Sequence, residues 1–190
     1  MEEARKTISY HDAILFGIEE IEEKHRIYGS SWIILRLSSL MDQIFIKLCR
    51  IRTIQEKKEQ RVKDPMQDEF IGIFNYCIFA KINIKNQLTG KILENEYNNA
   101  PLKCYKEALN DLSVLYGNKN HDYGEAWRDM RISSFVDLSL CKALRFKQIY
   151  TEDTRPEKEK LSQYDEIFSD IANYAIFAKI KIEEGSNPMF

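Results

Sequence analysis

Chain breakers are scarce: four prolines and seven glycines in 190 residues, most of them between stretches of apolar periodicity. That scarcity argues against a sandwich of short, turn-linked strands and predicts helices joined by loops. No run of about 18 uncharged apolar residues occurs, so no segment is expected to span a bilayer. The opening stretch MEEARKTISYHD is polar and lacks the apolar core of a signal peptide. Cysteine is sparse and unpaired: Cys49, Cys77, Cys104 and Cys141 form no CxxC motif, which predicts buried free thiols in a reducing cytoplasm. His11, His25 and His121 form no HxxxH or HExxH spacing, which weighs against a histidine-built zinc site. Charge of one sign is missing as well. With 28 basic and 30 acidic residues the net charge is -2, too balanced for general binding to nucleic acid or to an anionic membrane.

What is present is a duplication. Tyr28 to Arg50 lies without a gap over Tyr123 to Arg145, and nine positions agree. They pair Tyr28 with Tyr123, Gly29 with Gly124, Trp32 with Trp127, Arg36 with Arg131 and Ser38-Ser39 with Ser133-Ser134. Asp42 with Asp137, Lys47 with Lys142 and Arg50 with Arg145 complete the set. Further on, IFNYCIFAKI from Ile73 agrees with IANYAIFAKI from Ile171 at eight of ten positions. Two blocks in the same order at nearly the same spacing establish the repeat.

The fold class expected is all-α: two tandem copies of a three-helix unit, residues 1–90 and 101–190, packed about a pseudo-twofold axis into one compact bundle. Each copy reads as a leading helix (roughly 9–26 and 101–117), a turn at Tyr-Gly, a middle helix (roughly 38–55 and 133–150) and a last helix (roughly 66–86 and 163–184). The Ser-Ser pairs are expected to cap the middle helices, with Asp42 and Asp137 in or near their first turns. The charged runs 56–64 and 152–160 read as solvated loops or frayed helix ends, and Leu88 to Ala100 as the connection. Neither unit could bury its apolar faces alone.

The shared residues include charges, and these carry the functional expectation. On the second middle helix, Lys142 and Arg145 are neighbours able to hold a phosphate, beside Asp137 for a metal-bridged one. Glu166, Asp170 and Asn173 share one face of the last helix, where an acid in an apolar setting needs a partner. Mg²⁺ is one such partner; a salt bridge to Lys142, Arg145 or Arg131 is the other. In the first copy Gly72 stands where Asp170 stands, with Glu69 nearby, so a single centre would lean on the second copy. Ahead of the middle helix, KNHDYGEAWRDMR supplies His121, Asp122, Glu125 and Asp129, and Tyr123 and Trp127 offer flat surfaces or simply core.

The stretch KNHDYGEAWR with MRISS, the D-x4-K-x2-R helix and the closing NYAIFAKI resemble a bacterial family first catalogued as a domain of unknown function and later called a nucleotide modification associated domain. The resemblance covers both repeats, and the tandem form looks like the version common in Bacteroidetes. It implies a link to nucleotides. The helix pattern is also similar to the MazG-type all-α nucleotide pyrophosphohydrolases, where carboxylates on two helices hold Mg²⁺. By that likeness Asp137, Glu166 and Asp170, with Asp122, would ligate Mg²⁺ and carry hydrolysis of a nucleoside triphosphate. Lys142, Arg145, Arg131, His121 and Tyr123 would hold the nucleotide. Paired glutamates are missing from the middle helix, which leaves a non-catalytic nucleotide-binding or protein-interaction module as the alternative. A homo-oligomer is compatible with either.

Overall fold

The computed structural model describes residues 7–29, 31–90 and 101–189. Most of the expected connection, residues 91–100, lies outside them, as do residues 1–6 of the polar start. Among the described residues there are six α-helices and no strand: α1 Tyr10–Tyr28, α2 Leu37–Lys57, α3 Met66–Thr89, α4 Pro101–Tyr123, α5 Ile132–Glu152 and α6 Glu157–Glu183. None is long and apolar enough to cross a membrane.

The helix signals act locally as the physics demands. Ser9 caps α1, its hydroxyl accepting from the Asp12 N–H at 3.1 Å, and Gly29 closes that helix at φ 59°, a backbone region cheap only for glycine. The middle helices bury one stripe each, Leu37, Leu40, Met41, Ile44, Leu48 on α2 and Ile132, Phe135, Val136, Leu140, Ala143 on α5. α3 and α6 are apolar nearly all round and form the centre, packed against each other with α2 and α5 on their flanks.

Several expectations shift. The middle helices start one residue early, with Arg36 and Arg131 as N-caps, so the serines lie inside the first turn and Asp42 and Asp137 in the second. Residues 157–160 belong to α6, because Pro156 begins a helix there and Lys160 pairs with Glu157 at 2.8 Å. Only Cys77 of the four cysteines is buried; Cys141 is exposed.

The leading helices are exchanged. The hydroxyl of Tyr10, on α1, donates to Asn173 Oδ1 on α6 at 2.6 Å, and the hydroxyl of Tyr105, on α4, donates to Asn75 Oδ1 on α3 at 2.6 Å. Each repeat's first helix is therefore bonded to the other repeat's last helix. The same reciprocity appears on the surface, where Asp137 faces Arg52 at 3.8 Å and Asp42 faces Lys147 at 3.0 Å across α2 and α5. Burial raises the titration of both tyrosine hydroxyls well above the ordinary 10, so they stay donors.

This packing leaves no room at Gly17. A Cβ there would lie 2.8 Å from Phe74 Cε1 and 2.9 Å from the Tyr105 hydroxyl. In an exposed helix Gly→Ala gains up to about 1 kcal/mol; here overpacking outweighs it, and Gly17→Ala is expected to destabilise by about 1–3 kcal/mol in urea unfolding.

Candidate functional site

Each repeat contains the same cavity. In the second it is lined along α6 by Asp170, Asn173, Tyr174 and Phe177, one helical stripe, and roofed by Tyr116, Lys119 and Tyr123 from the end of α4. A short 3-10 turn, Ala126–Asp129, supplies Trp127. In the first, the α3 stripe Gly72, Asn75, Tyr76, Phe79 and the turn residue Trp32 occupy the same places. The tryptophans stack alike: Trp127 on Phe177 at 4.4 Å and 6°, Trp32 on Phe79 at 4.2 Å and 5°. The cavities measure about 480 Å³ in the second repeat and 290 Å³ in the first. Only the larger falls clearly in the range of roughly 300–1,000 Å³ typical of small-molecule sites.

The polar walls differ, and the differences set the chemistry. Asp170 sits at the rim of the larger cavity between two ammonium groups, Oδ1 to Lys119 and Oδ2 to Lys142, both at 2.7 Å. Burial alone would push its carboxyl up, but the lysines hold it below its ordinary 3.8. The hydrogen bond to Asp170 raises Lys142 above 10.5, with Glu166 adding a weaker pull. In the first repeat Gly72 replaces that carboxylate, and Lys47 lies over the gap, its Cε 3.0 Å from where a Cβ would be. Lys47 and Arg50 turn instead to Glu69, one helical turn earlier.

Two donors in the second cavity stand out. Trp127 is only 7% exposed, yet its Nε1 has no hydrogen-bond partner among the described residues. The nearest polar group is the Tyr116 hydroxyl, which is turned toward Glu125 at 3.3 Å and whose titration, raised by burial, is drawn back down by its contact with the Trp127 N–H. Asn173, 5% exposed, uses its oxygen for Tyr10. In the first repeat the matching amide nitrogen of Asn75 donates to Glu20 at 2.7 Å, but the repeat places Leu115 at that position.

The residues singled out from sequence divide accordingly. Asp170 and Lys142 meet, with Glu166 exposed but close enough to act on Lys142, and Tyr123 stands at the cavity mouth. Asp137 lies elsewhere: five residues before Lys142 on one helix, it is turned roughly 140° away and faces Arg52. Arg145 bonds Gln148, Arg131 is exposed at the start of α5, and His121 pairs with Asp122 in solvent. Among the described residues no three His, Cys, Asp or Glu side chains are arranged to hold a metal ion. Asp137, Glu166, Asp170 and Asp122 are thus not grouped around one cation, and the donor set does not fit a resident Mg²⁺.

Two contributors were missed. Lys119 lies just beyond the expected end of the leading helix at about 117, in a stretch that read as loop, whereas the helix runs to Tyr123. Arg128 covers the Trp127 ring at 4.4 Å and bonds Glu125, Glu184 and the Ile8 carbonyl. An arginine next to the shared tryptophan was the available signal for it.

The class these features define is a duplicated all-α bundle with one aromatic cavity per repeat. The chain belongs to the nucleotide modification associated domain 1 family, which it matches over residues 24–84 and 119–182. Those two segments contain both Tyr-Gly turns, both tryptophans and both α3/α6 cavity stripes. No curated protein and no solved structure matches the chain.

The sign of the Asp170 contribution follows from its lowered titration. Its bond to the lysines stabilises the fold above about pH 4 and is lost as pH falls through the folded-state value, below 3.8. Asp170→Asn is expected to cost about 1–2 kcal/mol at pH 7, the lysines' exposure moderating the loss. Urea titrations should show the gap to wild type closing as pH falls below 3.8.

Proposed function

We propose that the cavity of the second repeat binds a nucleotide, with the base among Tyr116, Trp127 and Tyr174 and the phosphate at Lys119 and Lys142. The observation that carries this reading is a deep aromatic cavity whose rim holds two ammonium groups sharing one carboxylate. That cluster retains one unit of positive charge for an anion, at the edge of flat walls suited to a base. Family membership supports the nucleotide class. The first repeat offers less: a smaller cavity, an asparagine amide already used by Glu20 and a lysine already used by Glu69.

Binding, and not hydrolysis, is the reading these side chains favour, because Asp170 is engaged by lysines and Asp137 faces another helix. Mg²⁺ in this reading arrives on the phosphates of a di- or triphosphate. The protein does not have to hold it beforehand.

A panel of nucleoside mono-, di- and triphosphates is expected to raise the melting temperature without turnover. Lys119→Ala and Lys142→Ala should each weaken Kd about tenfold, a loss of about 1.4 kcal/mol, while Lys47→Ala leaves it unchanged. Pyrophosphate release from a triphosphate with Mg²⁺, abolished in Asp170→Ala, would replace this reading with the hydrolytic one. No thermal shift with any nucleotide would remove both.

A further inference from the structure

Resting on the nucleotide reading, we infer that the site is built for a single phosphate, so that its ligand is a nucleoside monophosphate. Glu166 turns away the further phosphates of a metal-free di- or triphosphate. The direction in which such a ligand lies follows from α6. Phe177, Tyr174 and Asn173 line the interior of the cavity, and Asp170 stands at its rim between the lysines. Passing from interior to rim therefore means passing toward the start of α6. The next residue on that stripe, one turn or about 6 Å past Asp170, is Glu166. A base seated among the rings puts its first phosphate at the two lysines and any further phosphate beside that carboxylate.

The charges along this line are few. Lys119 and Lys142 each bond Asp170 at 2.7 Å, which leaves one positive charge over. Glu125, on the same wall, is matched by Arg128 at 2.7 Å and adds nothing. A phosphate monoester carries about -1.5 to -2 at neutral pH, so the first phosphate already exceeds that surplus. One turn out, Glu166 is exposed and acts on the Lys142 ammonium, whose charge is held first by its bond to Asp170. Arg145, one turn beyond Lys142 on α5, donates to Gln148 at 2.8 Å. Counted against Glu166, it leaves no positive surplus for a second phosphate. Such a phosphate gains little and is repelled by a carboxylate in partly exposed surroundings, a modest penalty that salt screens. Mg²⁺ carried in on the phosphates would offset that repulsion, so the bar applies to the metal-free ligand.

The test is calorimetric titration of the intact chain at neutral pH and low salt in EDTA, with adenosine, AMP, ADP and ATP and the matching guanosine, cytidine and uridine series. Within the series that binds best, the monophosphate should bind about tenfold more tightly than the nucleoside and about fivefold more tightly than the di- or triphosphate. Glu166→Gln, a change at an exposed position, should improve the diphosphate more than the monophosphate and bring the two to within about twofold. A di- or triphosphate that binds as tightly as the monophosphate, or more tightly, overturns the inference and leaves nucleotide binding standing. A gap that Glu166→Gln leaves unchanged removes Glu166 as its cause and overturns the inference with it. A nucleoside that binds as tightly as its monophosphate overturns the placing of phosphate at the rim. Failure of every compound to bind overturns the nucleotide reading as well.

Discussion

The two buried tyrosine–asparagine hydrogen bonds connect each repeat's first helix to the other repeat's last helix, and the rest of the architecture is arranged around that exchange. Asn75 and Asn173 sit in the middle of the two most apolar helices, where an amide without a partner would be costly. The tyrosine that each amide oxygen accepts from comes from the opposite repeat, while the Asn75 nitrogen is also held by Glu20 of its own repeat. The polar groups thereby act against the two units packing in any other register, a specificity that the surrounding isoleucines and phenylalanines, being non-directional, cannot supply. The same docking sets α4 over α6. Tyr10 then stacks on Tyr116 at 3.7 Å, so the first repeat backs the wall of the second repeat's cavity.

Within a shared frame the copies have diverged by moving charge. Lys47 and Lys142 occupy one position in the repeat and both find a carboxylate from the last helix of their own unit, but from sites one turn apart, Glu69 and Asp170. A half-buried ammonium requires neutralising somewhere, and either turn of the helix can provide it. The consequences are unequal. Glu69 draws Lys47 and Arg50 to the side, whereas Asp170 draws Lys142 and Lys119 to the cavity rim. One substitution in the stripe, Gly72 against Asp170, separates a cavity with no carboxylate at that position from one whose rim gathers two lysines.

The helices and the duplication were legible because both are written along the chain, as periodicity and as self-similarity. What escaped was whatever depended on contacts between helices. Asp137 and Lys142 were correctly placed on one helix, yet the sequence contains no sign that α2 would lie against Asp137. The aspartate shared by the copies serves the repeat interface, where Asp42–Lys147 and Asp137–Arg52 mirror one another. The salt-bridge alternative for Asp170 was available from the apolar setting of α6, and half of its answer, Lys142, was among the partners considered. Lys119 was not, because α4 continues through Asn118, Lys119 and Asn120, a stretch whose composition reads as loop. Asn173 was already on the stripe singled out with Asp170, and Asn75, its counterpart in the shared NYxIFAKI, needs a partner by the same reasoning.

The charge of the rim constrains what the cavity can accept. Lys119, Lys142 and Asp170 together carry a single positive charge, and none of their bonds has to break for an anion to approach the two ammonium groups, each of which has three donors and is partly exposed. A phosphate carries about -1.5 to -2 at neutral pH, so one phosphate slightly exceeds what the cluster neutralises. Further phosphates would extend into solvent beside Glu166, or require a divalent cation of their own. In the proposed reading affinity therefore has to come mainly from the aromatic interior, with the rim fixing orientation. Under the proposed nucleotide reading, such a site responds more steeply to changes in its buried interior than its half-exposed lysines respond to an added charge.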